Sequence, residues 1–262
     1  MIYSKEFVEV VDSALKPYKN FYIGTGNPNS NILLIGKEAA INEKLNNFEE
    51  KNLKDYINNA KEWKENIESE ISEVDEWIAM SYKDIKNNPL HLFKGVRLNE
   101  HKEGVTWRKY QKLFDVIMTG EFNKETNRAY NFQSNMFITE MNDAPNNHTS
   151  DADKTSLENR KVMFQHSSFY QRFPVTILAC SNYIWNTNDD RQIDRTFHVK
   201  YAGDEEGKHV ISKGNWFFVH YNDDKTKLVI HTRQLSMDVR DDLIFKMGME
   251  IRKFLLKKNL IK

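Results

Sequence analysis

Residues Asn31 to Ile41 read N-I-L-L-I-G-K-E-A-A-I, and this stretch sets the expected fold. Within it, Ile32 to Ile35 form an unbroken apolar run that leads into Gly36. A short apolar run without alternation is typical of a strand buried on both faces, as in parallel sheets covered by helices. Ligands bind at the carboxyl ends of such strands, so we expect Lys37 and Glu38 to form one wall of a site.

The remaining elements are predicted from the spacing of apolar residues. Steps of three and four predict helices at residues 5–19, 53–85, 107–119, 155–170 and 239–257, and a short helix is expected near Ala39. Apolar runs predict strands at 136–140, 174–180 and 195–201, and a hairpin of 216–221 with 227–231. The 53–85 pattern indicates one long helix, or two with a break, that packs on its own domain or on a second copy of the chain.

These elements predict an α/β protein, a three-layer α/β/α sandwich around a mostly parallel central sheet of about four strands. The chain has 262 residues, which suits a single domain spanning residues 1–262. A helical insertion is expected at residues 42–94, after the first strand. Because the 53–85 stripe needs a partner, self-association through this helix is one expectation.

Composition excludes several classes of protein. The 38 basic and 38 acidic residues balance, which argues against a uniformly positive surface but leaves room for a local basic groove. A single cysteine, Cys180, excludes an internal disulfide, a four-cysteine zinc site and an iron–sulfur cluster. The histidines lack paired ligand spacing, so no metal and no cofactor are expected. Without a signal segment or an apolar run of about 18 residues, we expect a cytoplasmic protein and no membrane partner.

Polar side chains follow each predicted strand, where a parallel sheet would bring them to one edge. Carboxylate, amide and imidazole groups at such an edge suit a hydrolysis, because an acid can position water and an amide can recognise a substrate edge. The groups are Lys37 and Glu38, Glu140 and Asn142, Ser181 and Asn182, and then His231, Arg233 and Ser236.

The order of these segments resembles the uracil-DNA glycosylase superfamily, particularly its microbial branches. Residues 26–36, G-N-P-N-S-N-I-L-L-I-G, are similar to its opening motif, and 137–142, F-I-T-E-M-N, to its second strand. Residues 174–181 are similar to its third strand. The stretch 231–236, H-T-R-Q-L-S, stands where the family has a histidine motif between a strand and the closing helix. The resemblance omits the helical insertion, and its strength is the order of parts.

The resemblance implies a DNA glycosylase-like hydrolase that cleaves the N-glycosidic bond of a uracil-like or otherwise altered base, in single- or double-stranded DNA. It implies that Glu38 orients the attacking water, that Glu140 or Asn142 reads the base, and that His231 meets the leaving base. Leu235 falls where a wedge residue enters the DNA stack. The implied substrate-binding residues also include Gly36, Lys37, Ser181 and Asn182, and the implied DNA-binding residues are Arg233, Gln234, Leu235 and Ser236.

Other interpretations stay open on the sequence alone. A different register places Gln234 at the position of the family histidine. Glu38 could cap a following helix, His231 could be structural, and Leu235 could be an ordinary core contact. Ala39-Ala40 and Thr232-Arg233 depart from the family motifs. The second hypothesis is a nucleic-acid-binding or protein-interaction module that keeps the fold without the chemistry. A hydrolase of another nucleoside-like substrate is a third.

Overall fold

The computed structural model describes most of the chain. It covers residues 3–17, 19, 21–38, 48–74, 88–92, 94–98, 105–125, 127–143, 154–236 and 238–262, with the backbone alone for 48–57. The helix predicted near Ala39 and residues 75–85 of the predicted 53–85 helix lie outside these residues.

A mixed sheet forms the centre of the molecule, with the strand order β1-β3-β2-β4-β8-β7-β5 and β6 paired to β7. Its strands are β1 (Thr25–Gly26), β2 (Ile32–Gly36), β3 (Phe137–Glu140), β4 (Val175–Leu178), β5 (Lys200–Tyr201), β6 (Lys208–Ser212), β7 (Asn215–Tyr221) and β8 (Leu228–Thr232). The central strands β3, β2, β4 and β8 are parallel, whereas β1, β7, β5 and β6 pair antiparallel. The fold is therefore α/β, as predicted. The expected sheet of about four strands is wrong in number, since eight strands are found in the described residues.

Helices cover both faces of this sheet. They are α1 (Lys5–Ala14), α2 (Phe48–Glu68), α3 (Val105–Thr119), α4 (Lys154–His166), α5 (Ser168–Gln171), α6 (Gln192–Phe197), α7 (Asp204–Gly207) and α8 (Asp241–Lys257). One core joins α3 and α8 to the face of β2 that carries Ile32 and Leu34. The other joins α1, α2, α4, α5 and α6 to the opposite face, with Leu33 and Ile35. Every residue of β2 is buried, which confirms the prediction for the opening strand.

Helix α2 packs on its own domain through the face that carries Trp63. The Trp63 side chain is fully buried, and its indole N–H donates to the Gly24 carbonyl at 2.7 Å. The helix ends at Glu68, and Glu70 takes the left-handed conformation with φ 52°, which turns the chain so that the Ile71 amide bonds the Asn66 carbonyl. Of the two alternatives for residues 53–85, a single unbroken helix is therefore excluded, and the break lies where no glycine or proline marks it.

Two predictions concern the antiparallel half of the sheet, and one of them is confirmed while the other is wrong. The hairpin of β7 and β8 is confirmed, with Tyr221 paired to Leu228 next to the turn. The strand predicted at 195–201 is wrong for most of its length, because residues 192–197 form α6. His198, with φ 56°, ends that helix in the left-handed region, so that only Lys200–Tyr201 is strand. No helix in the described ranges is long and apolar enough to cross a membrane.

Candidate functional site

The carboxyl ends of the parallel strands lie side by side, as the sequence predicted. The amide of Met141 donates to the Gly36 carbonyl at 2.9 Å, and the amide of Asn142 donates to the Lys37 carbonyl at 2.8 Å. On the other side of β2, the Ala179 amide donates to the Ile35 carbonyl at 2.8 Å. The pairing of β2 with its neighbours thus continues past the strand ends and holds these segments in register.

Glu140 is the last residue of β3, and its carboxyl group lies against Gly36 of β2. The two residues are paired in the sheet, and a Cβ atom at position 36 would stand 2.2 Å from Oε2 of Glu140. The pKa of Glu140 is raised to about 8, mainly by burial and also by the charge of the Glu38 carboxylate, although the charge of Arg160 opposes the shift. Glu140 is therefore a mainly protonated carboxylic acid at neutral pH.

Glu38 supplies a second acid to the same edge of the sheet. Burial raises the pKa of this carboxyl, while the Tyr183 hydroxyl and the Lys37 ammonium oppose the shift and favour the charged form. Its Oε2 atom is buried and has no hydrogen-bond partner among the described residues. A buried carboxylate oxygen without a donor is unusual, so it is available to a water molecule or a substrate.

Lys37 lies between these acids and the segment after β4. The residue is 9% exposed, and its ammonium stands 4.8 Å from the centroid of the Tyr183 ring. Burial lowers the pKa of Lys37, Glu38 opposes this, and the charge of Arg233 lowers the pKa further. We refer to Lys37, Glu38, Glu140 and Tyr183 as the strand-end cluster.

The acids of the strand-end cluster differ in their surroundings, and that difference sets what they can do. Glu140 is buried beside another acid and holds a proton that it can donate. Glu38 has a cation and a hydroxyl beside it, which favour a carboxylate that can accept a proton from water. Two carboxyl groups whose environments separate their protonation states are the usual arrangement for combined acid and base catalysis.

Helix α4 holds this edge of the sheet through two side chains that the sequence did not indicate. Arg160 is 2% exposed, and its guanidinium donates to the Glu140 carbonyl at 2.8 Å, to Thr139 Oγ1 at 2.8 Å and to the Tyr22 carbonyl at 2.9 Å. The Ser156 hydroxyl donates to Oδ1 of the fully buried Asn142 at 2.8 Å. Nothing in the spacing of α4 distinguishes these residues from an ordinary amphipathic helix.

The His231 side chain lies on the other face of the sheet from the Glu140 side chain. Side chains alternate along a strand, so His231 shares its face with Val229, whereas Glu140 shares its face with Ile138. Val229 and Ile138 belong to the two opposite cores. The sequence did predict that both residues would lie at the ends of parallel strands, but the structure does not bring their side chains together.

The surroundings of His231 are those of a structural residue. Its Nε2 atom is 2.8 Å from the Ser181 carbonyl, which can only accept, so Nε2 carries the proton. Burial lowers the pKa of His231 to about 3, and the rings of Trp185 and Trp216 stand edge-on at 4.8 and 5.1 Å. A neutral imidazole has one N–H, and here it is already donated, so His231 has none left for a leaving base.

The segment after β8 also departs from its expected role. Leu235 is fully buried in the core beneath α3 and α8, so in this conformation it does not reach out as a wedge. Arg233 is partly exposed and donates to the Gly214 carbonyl at 2.9 Å. Gln234 and Ser236 are partly buried, and the Ser236 amide donates to the Gln234 carbonyl at 3.0 Å.

The segment after β4 supplies backbone as well as side chains. Ser181 takes the left-handed conformation with φ 52° and presents its carbonyl to His231, while the Asn182 side chain is exposed. The described residues contain no group of three His, Cys, Asp or Glu side chains that could hold a metal ion. Comparison with protein-family models, curated proteins and solved structures found no match to this chain.

Proposed function

We propose that this protein is a DNA glycosylase-like hydrolase that cleaves the N-glycosidic bond of a uracil-like or otherwise altered base. The observation that carries the proposal is the pair of unequal acids, Glu38 and Glu140, at the carboxyl edge of the parallel strands. We also infer that the central strands form a glycosylase-type α/β/α core. The motif order of residues 26–36, 137–142 and 174–181 supports that inference, because these segments are β2, β3 and β4 with their flanking residues.

The proposed reaction divides its proton transfers between the two acids. Glu38 accepts a proton from water as the water oxygen bonds the sugar C1′ atom. The C1′–N bond breaks, its electron pair stays with the base, and Glu140 gives its proton to the departing base. The developing oxocarbenium charge on the sugar is stabilised by the nearby Glu38 carboxylate, as in glycoside hydrolysis. Glu140 takes the role that the resemblance implied for His231, whose N–H is already donated to Ser181.

The proposed DNA contact rests on the cations beside the acids. Arg233 lowers the pKa of Lys37, so the two positive charges act on the same region of the edge. Arg233 is exposed enough to meet a phosphate, and its guanidinium suits a bidentate contact. The balanced charge of the whole chain predicts that such binding is local and modest, and that it weakens as salt is raised.

A single-turnover assay tests this proposal. Oligonucleotides that carry uracil, hypoxanthine, xanthine or a thymine mismatch are incubated with excess protein, and strand cleavage at the resulting abasic site is measured after alkali. We expect release of at least one base, and a loss of at least about 100-fold in rate for Glu38→Gln, since proton transfer of this kind contributes that much or more. Glu205→Gln changes an exposed acid of α7 and serves as the matched control. Inactivity on every substrate would refute the proposal.

A nucleic-acid-binding module without chemistry is the second candidate. The occupied N–H of His231 and the burial of Leu235 favour it, because both residues lack the freedom that the glycosylase motif requires. A fluorescence anisotropy titration with the same oligonucleotides separates the two candidates. Binding that depends on Arg233, without base release by any substrate, would support the module and exclude the hydrolase.

A further inference from the structure

A cavity lies over the antiparallel half of the sheet, apart from the strand-end cluster. It has a volume of about 260 Å³ and lies between β7, β8, the loop after β4 and helix α7. The strand order places β7 three positions from β2, which is roughly 14 Å at the usual spacing between strands. This cavity contains a buried histidine, His220, that has no part in the proposed hydrolysis.

His220 is held with one ring nitrogen fixed and the other without a partner. His220 is 1% exposed, and its Nδ1 atom lies 2.9 Å from Oδ1 of Asp194. Although burial opposes it, hydrogen bonds from His220 and Asn186 and the charge of Arg191 hold the pKa of Asp194 below its usual value. A charged carboxylate only accepts, so Nδ1 carries the proton. Nε2 is buried without a partner among the described residues, although its residue lines the cavity.

The aromatic walls of the cavity are oriented before any ligand binds. Trp185 remains 37% exposed, yet its indole is fixed edge-on against Trp216 at 5.3 Å and Phe218 at 5.7 Å. Tyr201 lines the same cavity, and its hydroxyl donates to Asp204 at 3.0 Å. Exposed, pre-oriented aromatic rings are the usual platform on which a nucleobase stacks.

Cations line the same cavity. The Arg191 and Lys208 side chains are each 46% exposed. Arg191 uses Nε and one terminal nitrogen to bond Asp194, at 3.1 and 3.0 Å, which leaves its other terminal nitrogen for a ligand. Lys208 is 3.4 Å from Asp204, a contact long enough to yield to a stronger anion. A phosphate can bind between two such donors.

We infer that this cavity binds a nucleotide, with its base stacked on Trp185, a ring N–H donated to Nε2 of His220, and its phosphate held by Arg191 and Lys208. The nucleotide can be free or can belong to a single strand, since both present the same base and phosphate. Binding here requires no bond cleavage, so the inference stands without the proposed hydrolase activity.

The test is quenching of tryptophan emission on titration with uridine monophosphate, with uridine and with a short oligothymidylate. We expect quenching by the monophosphate, or by the oligothymidylate alone if the ligand is a strand. Uridine, which lacks the phosphate, should bind on the order of tenfold more weakly than uridine monophosphate, as expected for the loss of a charge-assisted contact. Trp185→Phe should remove the quenching. That result would show that the quenched emission comes from Trp185 in this cavity and not from another tryptophan of the chain.

A matched pair of lysine variants completes the test. Lys208→Ala should weaken binding by about tenfold, because it removes a phosphate donor. Lys200→Ala removes a more exposed lysine of the neighbouring strand β5, paired with Asp223, and should bind as the wild type does. Absence of quenching by both nucleotide probes would overturn the inference, as would equal weakening by the two lysine variants. A thermal melt confirms that each variant is folded.

Discussion

Replacement of Glu140 by glutamine should stabilise the protein, and the gain should grow as the pH rises. The folded protein holds the Glu140 proton up to a pKa of about 8, whereas the usual value is 4.5. The stability that protonated Glu140 contributes is therefore fully present below about pH 4.5 and is lost as the pH rises through 8. It is lost because the folded state must give up a proton that the unfolded state has already lost. Glutamine does not ionise, so Glu140→Gln removes this loss.

The magnitude follows from the two pKa values. At about 1.4 kcal/mol per pH unit, the wild type should lose about 4 kcal/mol relative to Glu140→Gln between about pH 5 and about pH 9. Part of the Glu140 residue reaches solvent, so we expect the measured figure to be about 2–4 kcal/mol. Neighbouring Glu38 contributes to the same shift, and Glu38→Gln should therefore give a smaller effect of the same sign.

Urea unfolding at about pH 5, 7 and 9 measures this, with the Glu205→Gln variant as the control for loss of an exposed acid. The difference in unfolding free energy between wild type and Glu140→Gln should rise from pH 5 to pH 7, and by a smaller amount from pH 7 to pH 9, since it levels off above the pKa of about 8. A difference that stays constant with pH would refute the assignment of a protonated, buried Glu140. The same constant difference would remove the proton donor from the proposed reaction.

Further variants test the surroundings of the site by the same unfolding assay. Gly36→Ala should cost about 1–3 kcal/mol because its Cβ meets the Glu140 carboxyl, and the cost should largely vanish in a Glu140→Ala background. His231→Phe should change the pH dependence of the free energy of unfolding. The stability that neutral His231 contributes is present above about pH 6.5 and is lost as the pH falls towards its pKa of about 3. The wild type should therefore lose about 3 kcal/mol relative to the variant between about pH 7 and about pH 4. An unchanged difference would contradict the burial of His231. Arg160→Lys should cost about 3 kcal/mol, since an ammonium cannot reproduce the planar guanidinium contacts to the Glu140 and Tyr22 carbonyls, and a cost below about 1 kcal/mol would show that those contacts are dispensable.

The predictable part of the fold is the part with strong local patterns. The run Ile32 to Ile35 predicted a strand buried on both faces, and the hairpin around residues 222–225 was evident from its turn. The edge strands were not predicted, because they are short and their sequences do not alternate between apolar and polar residues, as in Lys208–Ser212, K-H-V-I-S. The positions of the breaks at Glu70 and His198 were not predicted, because each uses a left-handed residue that is not glycine, and the sequence signal for such a conformation is weak.

The candidate site shows a different limit. The positions of Lys37, Glu38 and Glu140 at the ends of predicted strands correctly indicated that they lie at one edge of the sheet. It could not decide which face each side chain occupies, because a change of one residue in register moves a side chain to the other face. For that reason Glu140 and His231 were expected together and are found on opposite faces. Arg160 was missed because a residue far along the chain supplies the hydrogen bonds at the edge, and only the packed structure reveals that contact.

The stability of Glu140→Gln and its activity must be considered together. A glutamine would have nearly the same volume as Glu140 and would carry no charge, so the acid lowers stability at high pH without filling the site any better. A buried acid with that property is expected where its proton is used in a reaction, since catalytic groups are commonly retained at a cost to stability. If Glu140→Gln gains stability and loses base release, the same Glu140 proton accounts for the loss of stability at high pH and for the reaction. If it gains stability and keeps base release, Glu140 is a structural acid and Glu38 must act with another donor.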